Sequence, residues 1–173
     1  MTRLPILEIP HPLLRQTAEP VAAVDNDIRQ LLDNMLETMY ASKGVGLAGN
    51  QVGVLKRIIV IDCNDEEGLP KPIRLVNPRI MAQSDEIVCH NEGCLSIPQE
   101  YADIDRPACV TVAYQDETGT ERTIKADGLL AIALQHEIDH LDGKLFVDYL
   151  SPLRRKRLLN HLEKQRRKEK EEA

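Results

Sequence analysis

The chain has 173 residues, enough to enclose one full hydrophobic core and short for two. A hydrophobic fraction of 42% suits a soluble globular protein, and no Trp with one Phe leaves no aromatic surface for stacking single-stranded bases, so no sequence-specific nucleic-acid partner is expected. Net charge is −6 but unevenly placed: residues 1–150 hold 13 Lys and Arg against 24 Asp and Glu, while residues 151–173 hold 9 against 4, a basic end of +5 on an acidic body.

The N-terminal stretch MTRLPILEIPHP is broken by prolines where a signal peptide would run continuously apolar. With Pro5, Pro10, Pro12 and Pro20, residues 1–24 read as an irregular arm. Asp25 or Asn26 caps a helix to about Ser42, whose stripe is Ile28, Leu31, Leu32, Met35, Leu36, Met39 and Tyr40. Its methionines read as core packing rather than soft ligands. Gly44 to Gly53 then holds four glycines in ten residues. No Lys-Ser/Thr follows, and a helix precedes it, so it is neither a phosphate loop nor a dinucleotide loop. A substrate-lining loop, with Gln51 presenting an amide, and a plain helix-to-strand turn both stand open.

Lys56 to Cys63 reads as a buried strand, Asn64 to Pro72 as an acidic loop, and Ile73–Asn77 and Ile80–Cys89 as two more strands. Ala108–Tyr114 and Glu121–Ala126 alternate around Gly119, a β-hairpin. Asp127 stands at the N-cap of the next helix, which Gly143 stops. Ser151-Pro152 opens a last helix with Leu153, Leu158, Leu159 and Leu162 on one face; its end, KQRRKEKEEA, has no apolar face and is expected to fray. The sum is an α+β fold: mostly antiparallel strands packed around a central helix, with a C-terminal helix. Residues 1–150 form a catalytic body, and the basic helix and tail of residues 151–173 belong to the same single domain. The longest apolar run, Leu129 to Leu134, is too short to span a bilayer, so a cytoplasmic protein without a membrane partner is expected. Its four cysteines (Cys63, Cys89, Cys94, Cys109) are then thiols or ligands rather than disulfides.

The central helix carries Gln135-His136-Glu137-Ile138-Asp139-His140. Residues i and i+4 lie one above the other on a helix, so His136 and His140 can bind one metal ion from a single rigid element. Glu137 is rotated off that face, placed to act on a bound water as general base. Leu129, Ile132 and Ala133 extend the histidine face as an apolar stripe, which places two buried imidazoles in need of partners. A metal supplies them; bonds to backbone are the alternative. A third ligand is then required. Downstream, His161 and Glu163 lie on the basic helix, and Asp142 and Asp148 are poorer choices. Upstream are Cys89 and Cys94, and Cys94 is preferred, because Gly93 lets the backbone come close. Cys63 and Cys109, in strands, read as small buried hydrophobes. A Cys-His-His set leaves a fourth position for water, as a catalytic site does.

Three segments together, GVGLAGNQ (44–51), EGCLS (92–96) and QHEIDH (135–140), resemble the three signature motifs of the peptide deformylases, in order and spacing. The IIVID strand (58–62) and the stretch 125–153 resemble the common bacterial type of that family as well, so the likeness covers nearly the whole chain. The resemblance implies a metal-dependent hydrolase that removes the N-formyl group from the initiator methionine of new polypeptides and releases formate. It implies Cys94, His136 and His140 as ligands of Fe²⁺, with Zn²⁺ or a similar ion as the alternative. Glu137 becomes the proton carrier, and the Gln51 amide and Leu95 N–H the donors to the oxyanion. Val45, Gly46, Gly93, Leu129, Ile132 and Ala133 become the walls that receive methionine and its peptide. The basic C-terminal helix becomes either a contact for the ribosome or ordinary solvated surface. Two positions depart from the family pattern: Gly49 replaces a usual Ala, which is expected to loosen its loop, and Tyr101 stands where many members have Arg. Two rival functions remain: a zinc endopeptidase with Glu163 as third ligand, and a non-catalytic ribosome-associated protein with a structural metal.

Overall fold

The computed structural model describes residues 2–173. Helix α1 (Asn26–Ala41) begins where the Asp25 carboxylate accepts the Ile28 N–H at 2.9 Å. Its buried face is Ile28, Leu32, Met35, Leu36 and Met39, packed on strand β2 (Ile58–Ile61). Tyr40 leaves the expected stripe: it is exposed, and its hydroxyl donates to Asp62. The glycine segment is more regular than a loop. Gly46–Ala48 forms strand β1, paired antiparallel with β2 at the sheet edge, and a 3-10 turn, Gly49–Val52, follows.

The expected break near Pro78 does not occur. Strand β3 (Ile73–Gln83) runs through it on a bulge, with Asn77 at φ 51° and its side chain bonded to both backbone groups of Val21. Ile80–Gln83 therefore belongs to β3, and Ile87–Cys89 opens strand β4 (Ile87–Cys94). Strand β5 (Ile97–Pro107) had no counterpart in the sequence reading; it pairs with β4 as a separate two-stranded sheet. Its inward residues include Glu100 and Arg106 beside Ala102 and Ile104, so no hydrophobic alternation betrays it. Strands β6 (Val110–Gln115) and β7 (Glu121–Ala126) form the expected hairpin and complete a sheet of order β1-β2-β3-β6-β7. Cys109 is exposed between β5 and β6, not buried in a strand.

Helix α2 (Gly128–Leu141) lies between the two sheets and is buried nearly all round. Ala131, Leu134, Ile138 and Leu141 pack on the large sheet. The opposite side, with both histidines, faces the β4–β5 hairpin. Asp127 occupies the N-cap position, but its side chain makes no capping bond. A 3-10 turn, Phe146–Tyr149, leads to helix α3 (Pro152–Glu172), capped by Ser151. Leu158 and Leu162 join a core with Ile97, Ile104 and Phe146. The basic end is regular, not irregular. It stays helical to Glu172, and Arg166 donates to the Ile9 carbonyl at 2.7 Å. Among the described residues no helix is long and apolar enough to cross a membrane.

Candidate metal centre

Helix α2 aims His136 and His140 at the turn that ends β4. There the β4–β5 ladder breaks register between Gly93 and Cys94, turning the Cys94 thiol toward the helix. The Nε2 atoms of the two histidines lie 3.2 Å apart, and Cys94 Sγ lies 3.3 Å from His140 Nε2. Tetrahedral coordination at usual Zn–N lengths puts two ring nitrogens about 3.3 Å apart, so this donor set fits a small divalent ion. Among the described residues these three are the group brought close enough to share one. Glu163 is exposed on α3 and outside the cluster, and Cys89 is exposed.

Burial works against charge on His136, yet the neighbouring Cys94 and Glu92 outweigh it and hold its proton more tightly than usual. Burial, with His136 beside it, keeps His140 neutral, the ligand form. Glu92 accepts from His136 Nδ1 at 2.9 Å, which leaves Nε2 free to ligate. Arg106 grips Glu92 through Nε and a terminal nitrogen at 2.6 and 2.9 Å, and reaches Asp139 at 2.9 Å. Burial disfavours the Glu92 charge, but His136 and Arg106 prevail and lower its pKa. Tyr149 donates to Asp139 at 2.7 Å; burial and that bond push its own pKa up to about 12. The Glu92–Arg106 pair escaped sequence reading: Glu92 opens the EGCLS segment, but nothing in the sequence marks Arg106 as its partner across β4 and β5.

On the other side lies a cavity of about 470 Å³. Its lining includes Val45, Gly46, Gly93, Leu129, Ile132 and Ala133 together with Gln51, Leu95, Cys94, His136 and Glu137. Ile132 and Ala133 are buried, whereas Val45 and Leu129 are exposed at the mouth, so the apolar stripe is not buried throughout. Gln51 is fixed from both ends: its Oε1 accepts the Ala48 N–H at 2.9 Å, and its Nε2 points at Ser96 Oγ (3.1 Å) and Cys94 Sγ (3.6 Å). Glu137 is buried with one carboxylate oxygen lacking any partner, and burial pushes its pKa up to about 7. It lies under Gly46, where a Cβ would stand 2.7 Å from its Oε1. Gly49 does not loosen the loop: the carbonyls of Val54 and Lys56 close to 2.7 Å of where its Cβ would be, and its own carbonyl accepts from Val54. Tyr101 is exposed, its ring lying over Gly93 at the rim.

Two imidazoles and a thiol around one point, with an unpartnered carboxylate beside them on a cavity, are the parts a hydrolytic metal centre is built from, set here in an α+β fold. The model of the family described as polypeptide deformylase matches residues 3–156. The peptide deformylase of Rhizobium meliloti (strain 1021) is 48% identical over 164 residues, covering 95% of this chain and 94% of the relative. Peptide deformylase 2 of Xanthomonas axonopodis pv. citri (strain 306) is 51% identical over 170 residues, covering 96% of this chain and 98% of the relative. The crystal structure of peptide deformylase from Ehrlichia chaffeensis superposes with a TM-score of 0.92 at 42% identity, over 97% of this chain and 99% of that one. A second structure of the Ehrlichia chaffeensis protein, in complex with actinonin, gives 0.91 at 44% identity, over 95% of this chain and 98% of that one. The chain belongs to the polypeptide deformylase family. It is a metal-dependent hydrolase that removes the N-formyl group from the initiator methionine of newly made polypeptides.

Proposed function

We propose that deformylation runs at the Cys94-His136-His140 centre, with Glu137 as proton carrier and the Gln51 amide and Leu95 N–H as oxyanion donors. The observation that carries this reading is Gln51 Nε2, locked 3.6 Å from Cys94 Sγ on the same cavity as Glu137. Cys94, His136 and His140 would hold Fe²⁺, with Zn²⁺ as the alternative, since a thiolate and two imidazoles accept either. A bound divalent ion makes water acidic enough to be a nucleophile near neutral pH and polarises the formyl oxygen.

Glu137, its proton affinity raised by burial, takes the proton of the attacking water and delivers it to the departing amine. As the formyl carbon becomes tetrahedral, its oxygen gains charge, and the preset Gln51 amide and Leu95 N–H donate to it. Methionine enters between Ile132, Ala133, Val45 and Leu129. The peptide beyond it lies extended beside Gly46 on the free edge of β1 and beside Gly93, adding a strand.

Residues 1–150 carry this chemistry, and α3 belongs to the same body, since Leu158 and Leu162 complete its core. The exposed Arg154, Lys156 and Arg157 suit contact with ribosomal phosphate, and the setting is cytoplasmic. Changing those three to Glu should abolish ribosome co-sedimentation at low salt; unchanged association would remove that contact from the reading. Formyl-Met-Ala-Ser incubated with the enzyme, with and without chelator, tests the function. Formate should appear only in the metal-loaded sample. Internal peptide cleavage, or formate from a Cys94→Ala variant that keeps its metal, would overturn the assignment.

A further inference from the structure

The 3-10 turn Phe146–Tyr149 touches no part of the cavity, yet it reaches His136 twice. The Phe146 ring, wholly buried, stacks on the imidazole at 6.3 Å and 27°. Tyr149 reaches it through a chain: its hydroxyl donates to Asp139 at 2.7 Å, Arg106 joins Asp139 to Glu92, and Glu92 holds His136 Nδ1. The Tyr149 ring also lies under the Arg106 guanidinium, 4.8 Å from centroid to Cζ. The inner members of this chain are almost fully buried, but Asp139 has a side-chain exposure of 18%. Tyr149 stands at that opening. It supplies the Asp139 carboxylate with a donor in place of water and covers the outer face of Arg106.

We propose that Tyr149 is a positioning residue for deformylation, setting the angle and tautomer of His136 through Asp139, Arg106 and Glu92. The proposal rests on His136 being a ligand. A carboxylate free to swing toward water would let Arg106 follow, and Arg106 fixes both oxygens of Glu92. The turn is itself braced from behind, where Arg155 of α3 donates to the carbonyls of Val147 and Asp148, each at 3.1 Å.

Tyr149→Phe removes the donor and keeps the ring; Tyr149→Leu removes both. Competition with a chelator measures how firmly each variant holds Zn²⁺, and thermal unfolding of the metal-free proteins reads any purely structural effect. Partners behind a ligand histidine are worth about 10–100-fold in metal affinity. Tyr149→Phe should weaken retention toward the lower end of that range and Tyr149→Leu further, with KM unmoved and kcat restored by excess metal. Metal-free Tyr149→Phe should unfold within about 2–4 °C of the wild type, the loss of one hydrogen bond. Asp139→Asn should reproduce the loss, and adding Tyr149→Phe to it should change nothing more. Wild-type retention in both Tyr149 variants, or a full additional loss on top of Asp139→Asn, overturns the proposal. A His136→Ala variant that keeps its metal would instead overturn the site on which it rests, so the two failures are distinct.

Discussion

The two sides of His136 are built on opposite principles. Behind the ring, Glu92, Arg106, Asp139 and Tyr149 satisfy one another completely, each charge meeting its opposite in hydrogen-bonded geometry. In front, Glu137 is buried with an oxygen that has no partner, and Gln51 turns its amide toward a thiol at 3.6 Å. Burying such a group without a partner is costly, and of the two sides of His136 it is the cavity side that carries that cost. In the proposed mechanism the back of the site fixes where the ligands stand, and the front waits for charge that develops only during reaction. Substitutions should therefore separate into those that stop chemistry while metal stays, and those that loosen metal while chemistry survives at saturation.

The sharpest break comes from Glu137→Ala. Removing a positioned proton carrier typically costs about 10²–10⁴-fold in rate, and kcat should fall toward the upper end of that range. Metal content should stay at the wild-type level, because Glu137 is not among the clustered ligand atoms. Near-normal formate release would dissolve the distinction between front and back. Gln51→Leu comes next, with a loss of about 10²–10³ in kcat and an unchanged KM, since the amide serves the oxyanion rather than the ground state. A rise in KM alone would make Gln51 a binding group.

Gly46→Ala probes the same side through space alone. The new methyl would press on Glu137 Oε1 from 2.7 Å. Misplacing a reacting group by about 1 Å can cost about 10²-fold, so kcat should fall by up to that factor with metal content unchanged. At the back, Glu92→Gln keeps an acceptor for His136 but loses the charge that Arg106 and His136 both face. Retention against a chelator should weaken by about 10–100-fold, while kcat recovers in excess metal. A loss of kcat that excess metal fails to restore would move Glu92 to the front.

The same division decided what could be read in the sequence. The front is made of residues whose chemistry is local: a helix with His136, Glu137 and His140 at fixed spacing, a glycine-flanked Cys94, and Gln51 in a glycine-rich segment. Helices α1 and α2 and the β6–β7 hairpin were legible for a related reason, because their apolar periods and turn residues agree with where they pack. The back was not legible. Glu92 and Arg106 meet only because β4 and β5 pair, and β5 points two charges inward where alternation should place apolar side chains. Asp139, one residue before the second histidine, pairs with Arg106 within the chain that supports His136. Pro78 misled in the opposite direction, since a bulge with Asn77 at positive φ carries β3 through it.

The smallest expected effect lies farthest from both sides, where α3 meets the N-terminal arm. Arg166 donates to the Ile9 carbonyl at 2.7 Å and to Glu8 at 3.1 Å, and it is partly exposed. Water can replace much of what Arg166→Ala removes, and the exposed ion pair to Glu8 contributes little. The bond to the carbonyl is worth about 1 kcal/mol, which in a chain of this size lowers Tm by roughly 2–4 °C. Formate release and metal retention should both stay at wild-type levels. If Arg166→Ala instead weakened metal retention, the strain would have to travel along α3 to Arg155 and the turn it braces. That would extend the back of the site to the basic helix, and the position of α3 would then bear on how firmly His136 is held.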